Sequence, residues 1–319
     1  MFKEELYSKY YKLRSILARI YSHSWRFLTT IRYHCSQGYR DRVKERLSYI
    51  RKYVNTYLIS KRPQGNVIII AIDCLRYRNM SFTNYERATT PFLDRSKIKL
   101  RAFSAAPQTY SSVPSILSGL YPHNHGAVIA GIIKYFNIKN FRPLRNYVMT
   151  LPEILSILGY DVYHVTNIEA SFLSLTDRVI PTIVYGRAEK VLNKTLKCIA
   201  RSAKSGRNFF AYVHLGDLHE SFLDPPRKFK DFFGHVKSLP YIEWWACKQP
   251  EEQRGEEFEE YRYNRILLYD NTLKYVDYAI EKFYFKLEDR GLIDSTSVSY
   301  THLRAHETSL HLVCRLLLE

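Results

Sequence analysis

The chain has 319 residues, 46% of them hydrophobic, which bounds it to one large or two small domains with ample material for a packed core. The formal net charge of +17 is uneven, because residues 1–64 hold 15 Lys/Arg and 4 Asp/Glu (+11) while the rest hold 33 and 27 (+6). Five cysteines (Cys35, Cys74, Cys198, Cys247, Cys314) show no CxxC pair or zinc spacing, so reduced thiols are expected and a disulfide framework is excluded.

Residues 1–62 are rich in Tyr, Arg and Lys. Leu6, Leu13, Ile16, Leu17, Ile20 and Tyr21 follow helical spacing, and a second helical stretch runs from about Arg40 to Ile59. Two readings stand side by side. One is a basic amphipathic surface for an anionic membrane or nucleic acid; the other is a helical hairpin packed on the following domain or on a partner. No nucleic-acid-binding motif is present, so no nucleic acid is expected as a partner. No signal-peptide apolar core and no run of about 18 apolar residues is found, which predicts a cytoplasmic or peripheral membrane location. Residues 61–65 (KRPQG) read as a linker.

From residue 66 strands and helices alternate. Residues 66–72 (NVIIIAI) form a continuous apolar, β-branched run that predicts a fully buried parallel strand. A helix is predicted after Thr150, strands at 161–165 and 209–214, and a helix at 265–287. The alternation argues for an α/β fold with a mainly parallel sheet flanked by helices, preceded by the N-terminal helical extension.

The end of the chain reads differently. Residues 298–308 (VSYTHLRAHET) and 312–319 (LVCRLLLE) back-translate to the two parts of a transposase-type DNA sequencing adapter. Residues 298–319 are therefore set aside as adapter translation, and with them His302, His306 and His311 as metal-ligand candidates. This gives three parts: a basic extension at 1–64, an α/β domain at 65–297, and the adapter segment at 298–319.

Three features carry chemistry. Asp73 directly follows the buried strand 67–72, at the carboxyl edge where α/β sheets bind ligands. There its carboxylate offers hard oxygen to Mg²⁺, Ca²⁺ or Mn²⁺; alternatively it caps the following turn. Residues 107–126 (PQTYSSVPSILSGLYPHNHG) predict a helix at 112–117, with Ser111 as N-cap, Pro114 at N3 and Gly119 at the C-terminal end. Thr109 then stands just before the positive helix end, which favours an anionic substrate or a developing alkoxide. The third feature is His214 to His219 (HLGDLH). It places His214, Asp217 and His219 at the end of another buried strand, where a histidine can serve a substrate oxygen or a leaving group. A capped short helix and surface histidines are the plainer readings of these two features.

Taken in order, NVIIIAIDCLR, TTPFLDR, AFSAAPQTYSSVPSILSGLYPHNHG, TLPEILSILGYDVYHVTNI, FFAYVHLGDLHESF and the segment ending GLIDST resemble the sulfatase family of the alkaline-phosphatase-like superfamily, over roughly 66–296. The resemblance implies a metal-dependent hydrolase of sulfate or phosphate esters. Asp73 and Thr109 would be metal ligands, Thr109 the nucleophile, and His219 and His214 would aid the substrate oxygens or leaving group. Thr109 is assigned by register, ten residues before Gly119; matching Ser112-Val113-Pro114-Ser115 instead would select Ser112. Three departures matter. Thr109 cannot form the formylglycine of many sulfatases, Cys74 replaces the second Asp of the frequent Asp-Asp pair, and Arg78 replaces a later Asp. The family's Asp-His pair beyond Thr296 is not found, which implies an incomplete metal site and an inactive chain. Two alternatives follow: a membrane-surface phospho-group transferase, or a non-catalytic sulfatase-like binding protein.

Resequencing the source DNA is expected to diverge from this chain at about Ser297, continuing with an apolar strand and then an Asp-His pair. A read confirming the codons for Val298 to Glu319 overturns the adapter reading.

Overall fold

A computed structural model describes residues 37–57, 64–129, 141–175, 178, 181–219, 223–237 and 254–303. The helical stretch at 6–21, and His306, His311, Cys35, Cys247 and Cys314, lie outside the described residues. Helix α1 spans Gln37–Tyr57. The main sheet contains β1 (Asn66–Asp73), β4 (Asp161–Thr166), β5 (Thr182–Ile183), β6 (Phe209–Leu215) and β7 (Thr296–Leu303), in the order β5-β4-β6-β1-β7. Every neighbouring pair is parallel. A small antiparallel pair, β2 (Val128–Ile129) and β3 (Phe141–Arg142), stands apart. The helices are α2 (Thr109–Ser118), α3 (Pro122–His125), α4 (Leu151–Ile157), α5 (Ala188–Lys204) and α6 (Glu256–Glu288).

Strand alternation divides the core into two layers. Ile68, Ile70 and Ile72 of β1, with Phe209, Ala211, Val213 and Leu215 of β6, pack against α5 and α6. Val67, Ile69 and Ala71, with Phe210 and Tyr212, pack against α2 and α4. Both faces of the sheet are covered, which is why β1 and β6 read as continuous apolar runs. Helix α5 follows from its own pattern, since Ala188, Val191, Leu192, Thr195, Leu196, Ile199 and Ser202 are buried at helical spacing.

Helix α6 begins at Glu256, nine residues before the expected start. Glu256, Glu257 and Glu259 occupy its first turn, where negative charge complements the helix dipole. Its buried face carries polar residues seven apart that hold loops. Asp270 accepts bonds from Asn79 Nδ2 (2.8 Å), Tyr85 Oη (2.7 Å) and Arg87 Nη1 (2.8 Å). Asp277 accepts the Phe92 and Leu93 backbone N–H groups at 3.0 and 2.9 Å. Asn264 and Asn271 accept the Lys237 and Phe233 N–H groups.

Strand β7 occupies the position expected after Thr296, so residues from Val298 onward that read as adapter translation supply most of it. Val298 and Tyr300 pack against the α5/α6 layer, and the register with β1 runs from Asn66–Thr296 to Asp73–Leu303.

Helix α1 lies on α4. It buries Val43, Arg46, Ile50 and Val54, one face at helical spacing, and leaves Arg42, Lys44, Arg51 and Lys52 exposed. For these residues the packed reading of the extension describes the geometry. Arg46 Nε lies 2.9 Å from Glu153 Oε1, and Arg178 Nη1 lies 3.1 Å from Glu153 Oε2. All three side chains are buried. Glu153 also completes a capping box with Thr150 that starts α4. Glu153→Ala would remove the carboxylate that two buried guanidinium groups share, leaving Arg46 on Asn146 Oδ1 and Arg178 on the Val148 and Arg145 carbonyls, which carry no formal charge. It is expected to destabilise the protein by about 3–5 kcal/mol in denaturant unfolding; a loss within about 0.5 kcal/mol, the range of ordinary surface substitutions, contradicts this.

Candidate functional site

Strand parity brings the sequence-predicted residues together. Asp73 shares the face of Val67, Ile69 and Ala71, His214 shares that of Phe210 and Tyr212, and both faces pack towards α2. Ala71 and His214 are in register, so the two side chains meet at the carboxyl edge of the sheet.

Asp73 is the last residue of β1 and is fully buried. Its Oδ1 accepts the Cys74 backbone N–H at 3.0 Å. Cys74 has a left-handed φ of 56°, a conformation that costs a non-glycine residue about 1–2 kcal/mol. Tyr269 of α6 holds this turn: its hydroxyl donates to the Cys74 carbonyl at 2.9 Å and accepts the Arg76 N–H at 2.9 Å.

Thr109 is the first residue of α2, also fully buried, with Oγ1 at 3.1 Å from Asp73 Oδ2 and 3.3 Å from Oδ1. The helix starts three residues before the expected 112. The Gln108 carbonyl accepts the N–H groups of both Ser111 and Ser112, at 3.2 and 2.9 Å, so Gln108 is the N-cap and Ser111 is not. Pro114 consequently sits inside the helix. Ser112 Oγ donates to the Ala106 carbonyl at 2.7 Å and lies 2.9 Å from Ser104 Oγ, serving the incoming backbone as expected of a first-turn hydroxyl. At the other end, Ser115 Oγ and His125 Nε2 are 3.0 Å apart and tie α2 to α3. A cavity of about 240 Å³ borders Ser104, Ser112, Ser115 and Thr301 and is not lined by Asp73, Thr109 or His214.

His214 is fully buried, with Nδ1 at 3.0 Å from the Tyr212 hydroxyl and Nε2 at 3.5 Å from Asp73 Oδ2. Burial first, and the Asp73 charge second, push the Tyr212 phenol well above its ordinary pKa. His219 is half-buried on the turn after β6, its N–H bonded to the Gly216 carbonyl at 2.9 Å. Asp217 turns away from Asp73: it accepts the Ala188 N–H at 2.8 Å, at the start of α5, and Asn167 Nδ2 at 2.9 Å. Burial pushes its carboxyl pKa up to about 6.

Among the described residues no Lys or Arg pairs with Asp73, and no group of three His, Cys, Asp or Glu stands ready to hold a metal ion. A buried carboxylate without a cationic side chain, beside a hydroxyl, suits a hard divalent cation, and Asp73 and Thr109 are the donors that fit.

The sheet order and the two covered faces define an α/β protein with a parallel main sheet and a carboxylate–hydroxyl pair at its carboxyl edge. Residues 65–302 match the sulfatase family, and the chain belongs to it. Among curated proteins no relative matches. Solved structures show the same fold. The sulfatase-type protein yidJ of Bacteroides fragilis has 17% identity and a TM-score of 0.56, over 78% of this chain and 65% of that one. A 2-O GAG sulfatase has 16% identity and a TM-score of 0.53, over 75% and 58%. The C-terminal periplasmic domain of the phosphoethanolamine transferase EptC of Campylobacter jejuni has 17% identity and a TM-score of 0.50, over 75% and 69%. The chain thus spans about two thirds or less of the two sulfatase-type neighbours. No helix among the described residues is long and apolar enough to cross a membrane. The expected cytoplasmic placement gains no support from neighbours that include a periplasmic domain.

Sequence reasoning missed Tyr212 and His164, although the alternation in β6 and β4 carries the signal. The His164 ring lies 4.9 Å from that of Tyr212, and its Nε2 is 3.2 Å from Ser171 Oγ. Burial first, and His214 second, lower the His164 pKa to about 3. A histidine depressed in this way gives stability that is complete above its unfolded pKa of about 6.5 and is lost as pH falls towards the folded value. His164→Phe fills the ring space, and Ser171 Oγ keeps Thr166 and Ile168 as partners. The stability of the variant relative to wild type is therefore expected to rise below pH about 6.5, by up to about 1.4 kcal/mol per pH unit. Urea unfolding at several pH values measures this, and a pH-independent difference contradicts it.

Proposed function

We propose that this fold cleaves sulfate or phosphate esters with Thr109 as nucleophile. The observation that supports this most directly is the buried Thr109 hydroxyl, 3.1 Å from the Asp73 carboxylate at the first residue of α2. Thr109 Oγ attacks sulfur or phosphorus while its proton passes to Asp73. A new O–S or O–P bond forms, and the bond to the alcohol oxygen breaks. The α2 N-terminus faces the developing negative charge. His219 protonates the departing alcohol oxygen. Water then releases the group from Thr109 in a hydrolase, and an acceptor alcohol does so in a transferase. Asp73 and Thr109 would hold a divalent cation (Ca²⁺, Mg²⁺ or Mn²⁺), which would supply positive charge to lower the Thr109 hydroxyl pKa and to offset charge on the ester oxygens. With two hard donors gathered among the described residues, cation affinity is weak and this chain turns over slowly or not at all.

A second reading is a phospho-group transferase at a membrane surface. Residues 97–103 (KIKLRAF) favour it. Ile98, Leu100 and Phe103 are 79%, 82% and 84% exposed; Ile98 and Leu100 alternate with Lys97, Lys99 and Arg101, a pattern suited to an anionic lipid surface. Product formation that depends on an added acceptor alcohol distinguishes transfer from hydrolysis.

Assayed in the product of the full gene, Thr109→Ala is expected to lower ester cleavage by on the order of 10³-fold or more. Ser112→Ala should cost far less, and Thr109→Ser should retain part of the activity. Near-normal turnover in Thr109→Ala with loss in Ser112→Ala would move the nucleophile to Ser112.

A further inference from the structure

Behind the Thr109–Asp73 pair the contacts continue inward. Asp73 Oδ2 is 3.5 Å from His214 Nε2, and His214 Nδ1 is 3.0 Å from the Tyr212 hydroxyl. Asp73 and His214 are 0% exposed and Tyr212 is 1% exposed, so bulk water does not reach these groups. His214 Nε2 has no hydrogen-bond partner among the described residues.

The placement of two hydrogens decides what this row does. If the Tyr212 O–H donates to Nδ1, the neutral ring carries its proton on Nε2, 3.5 Å from Asp73 Oδ2. The Tyr212 hydrogen then has an acceptor, and the Nε2 hydrogen lies within electrostatic reach of a carboxylate oxygen. If Nδ1 carries the proton instead, the Tyr212 hydrogen has no other acceptor among the described residues, and the Nε2 lone pair faces an anionic oxygen at 3.5 Å. The first arrangement replaces a repulsion by an attraction in a low-dielectric site.

We propose that Tyr212 and His214 are positioning residues for Asp73, the Tyr212 hydroxyl locking His214 as the Nε2–H tautomer so that its N–H steadies the carboxylate oxygen shared with Thr109. Parity on β6 puts both side chains on the Asp73 face, and the packing of the Tyr212 ring against His164 fixes the hydroxyl. His214 thus acts through Asp73, while Oδ1 remains on the Cys74 N–H. The tautomer follows from hydrogen bonding alone; only its effect on cation binding rests on the proposed role of Asp73.

The test uses the full chain labelled with ¹⁵N-histidine, with His214→Gln to assign the resonance. Long-range ¹H–¹⁵N spectra of the wild type should show His214 as the neutral Nε2–H tautomer. A proton on Nδ1, or on both nitrogens, overturns the proposal without any further variant. Tyr212→Phe keeps the ring against His164 and removes only the hydroxyl, so a folded variant should show a mixed or Nδ1–H state; an unchanged tautomer overturns the lock. Mn²⁺ titration then reads the consequence, with affinity in Tyr212→Phe expected to fall on the order of 10-fold. Equal Mn²⁺ affinity in the two proteins overturns the positioning role. No Mn²⁺ binding by the wild type instead sinks the metal-ligand reading of Asp73, and the proposal is then decided by the tautomer alone.

Discussion

Burying a carboxylate is costly unless its oxygens are met by donors, and Asp73, which pairs with no Lys or Arg among the described residues, sits in that situation at the end of the central strand. The surrounding elements converge on its two oxygens. The chain after β1 turns through a left-handed Cys74 to present an N–H, α2 begins with a hydroxyl, and β6 brings an imidazole. None of these comes from the same stretch of sequence. The parallel register of β1 with β6 and the packing of α2 on the sheet are what assemble them.

Helix α6 gives that assembly its rigidity. Its buried polar side chains fasten the loops at 76–93 and 230–237, which otherwise have little regular structure. The segment leading away from Asp73 is thereby held at Cys74 and Arg76 by Tyr269, at Asn79 by Asp270, and at Phe92 and Leu93 by Asp277. Hydrogen bonds to charged acceptors in a buried setting are worth more than neutral ones at the surface. A loop with only short 3-10 turns can therefore support a strand-end site.

Much of this was legible in the residues. Apolar β-branched runs mark β1 and β6 because both faces are covered, and the Thr-x-x-Glu box marks the start of α4. The start of α2 was not legible: Ser111 has the better cap chemistry, but the Gln108 carbonyl closes the first turn. Helix α5 has clear amphipathic spacing but carries no chemical motif of its own. The Tyr212–His214 row needed strand parity together with knowledge of which strand lies beside β1, and a single sequence does not state strand order. The end of the sheet shows the converse. A Val-Ser-Tyr-Thr alternation pairs with β1 whatever its origin, because the backbone carries the register and Val298 and Tyr300 supply the apolar side.

The docking of α1 changes where the molecule can be cut. The family-matching region begins at residue 65, which invites expression of a piece starting there. Glu153, however, lies within α4 and shares its charge between Arg46 on α1 and Arg178. A piece without α1 would present water with the surface that Val43, Ile50 and Val54 cover, and would leave Glu153 with half of its cationic shell. In hydrogen exchange α1 should open together with α4 as one cooperative unit, because neither face is satisfied without the other.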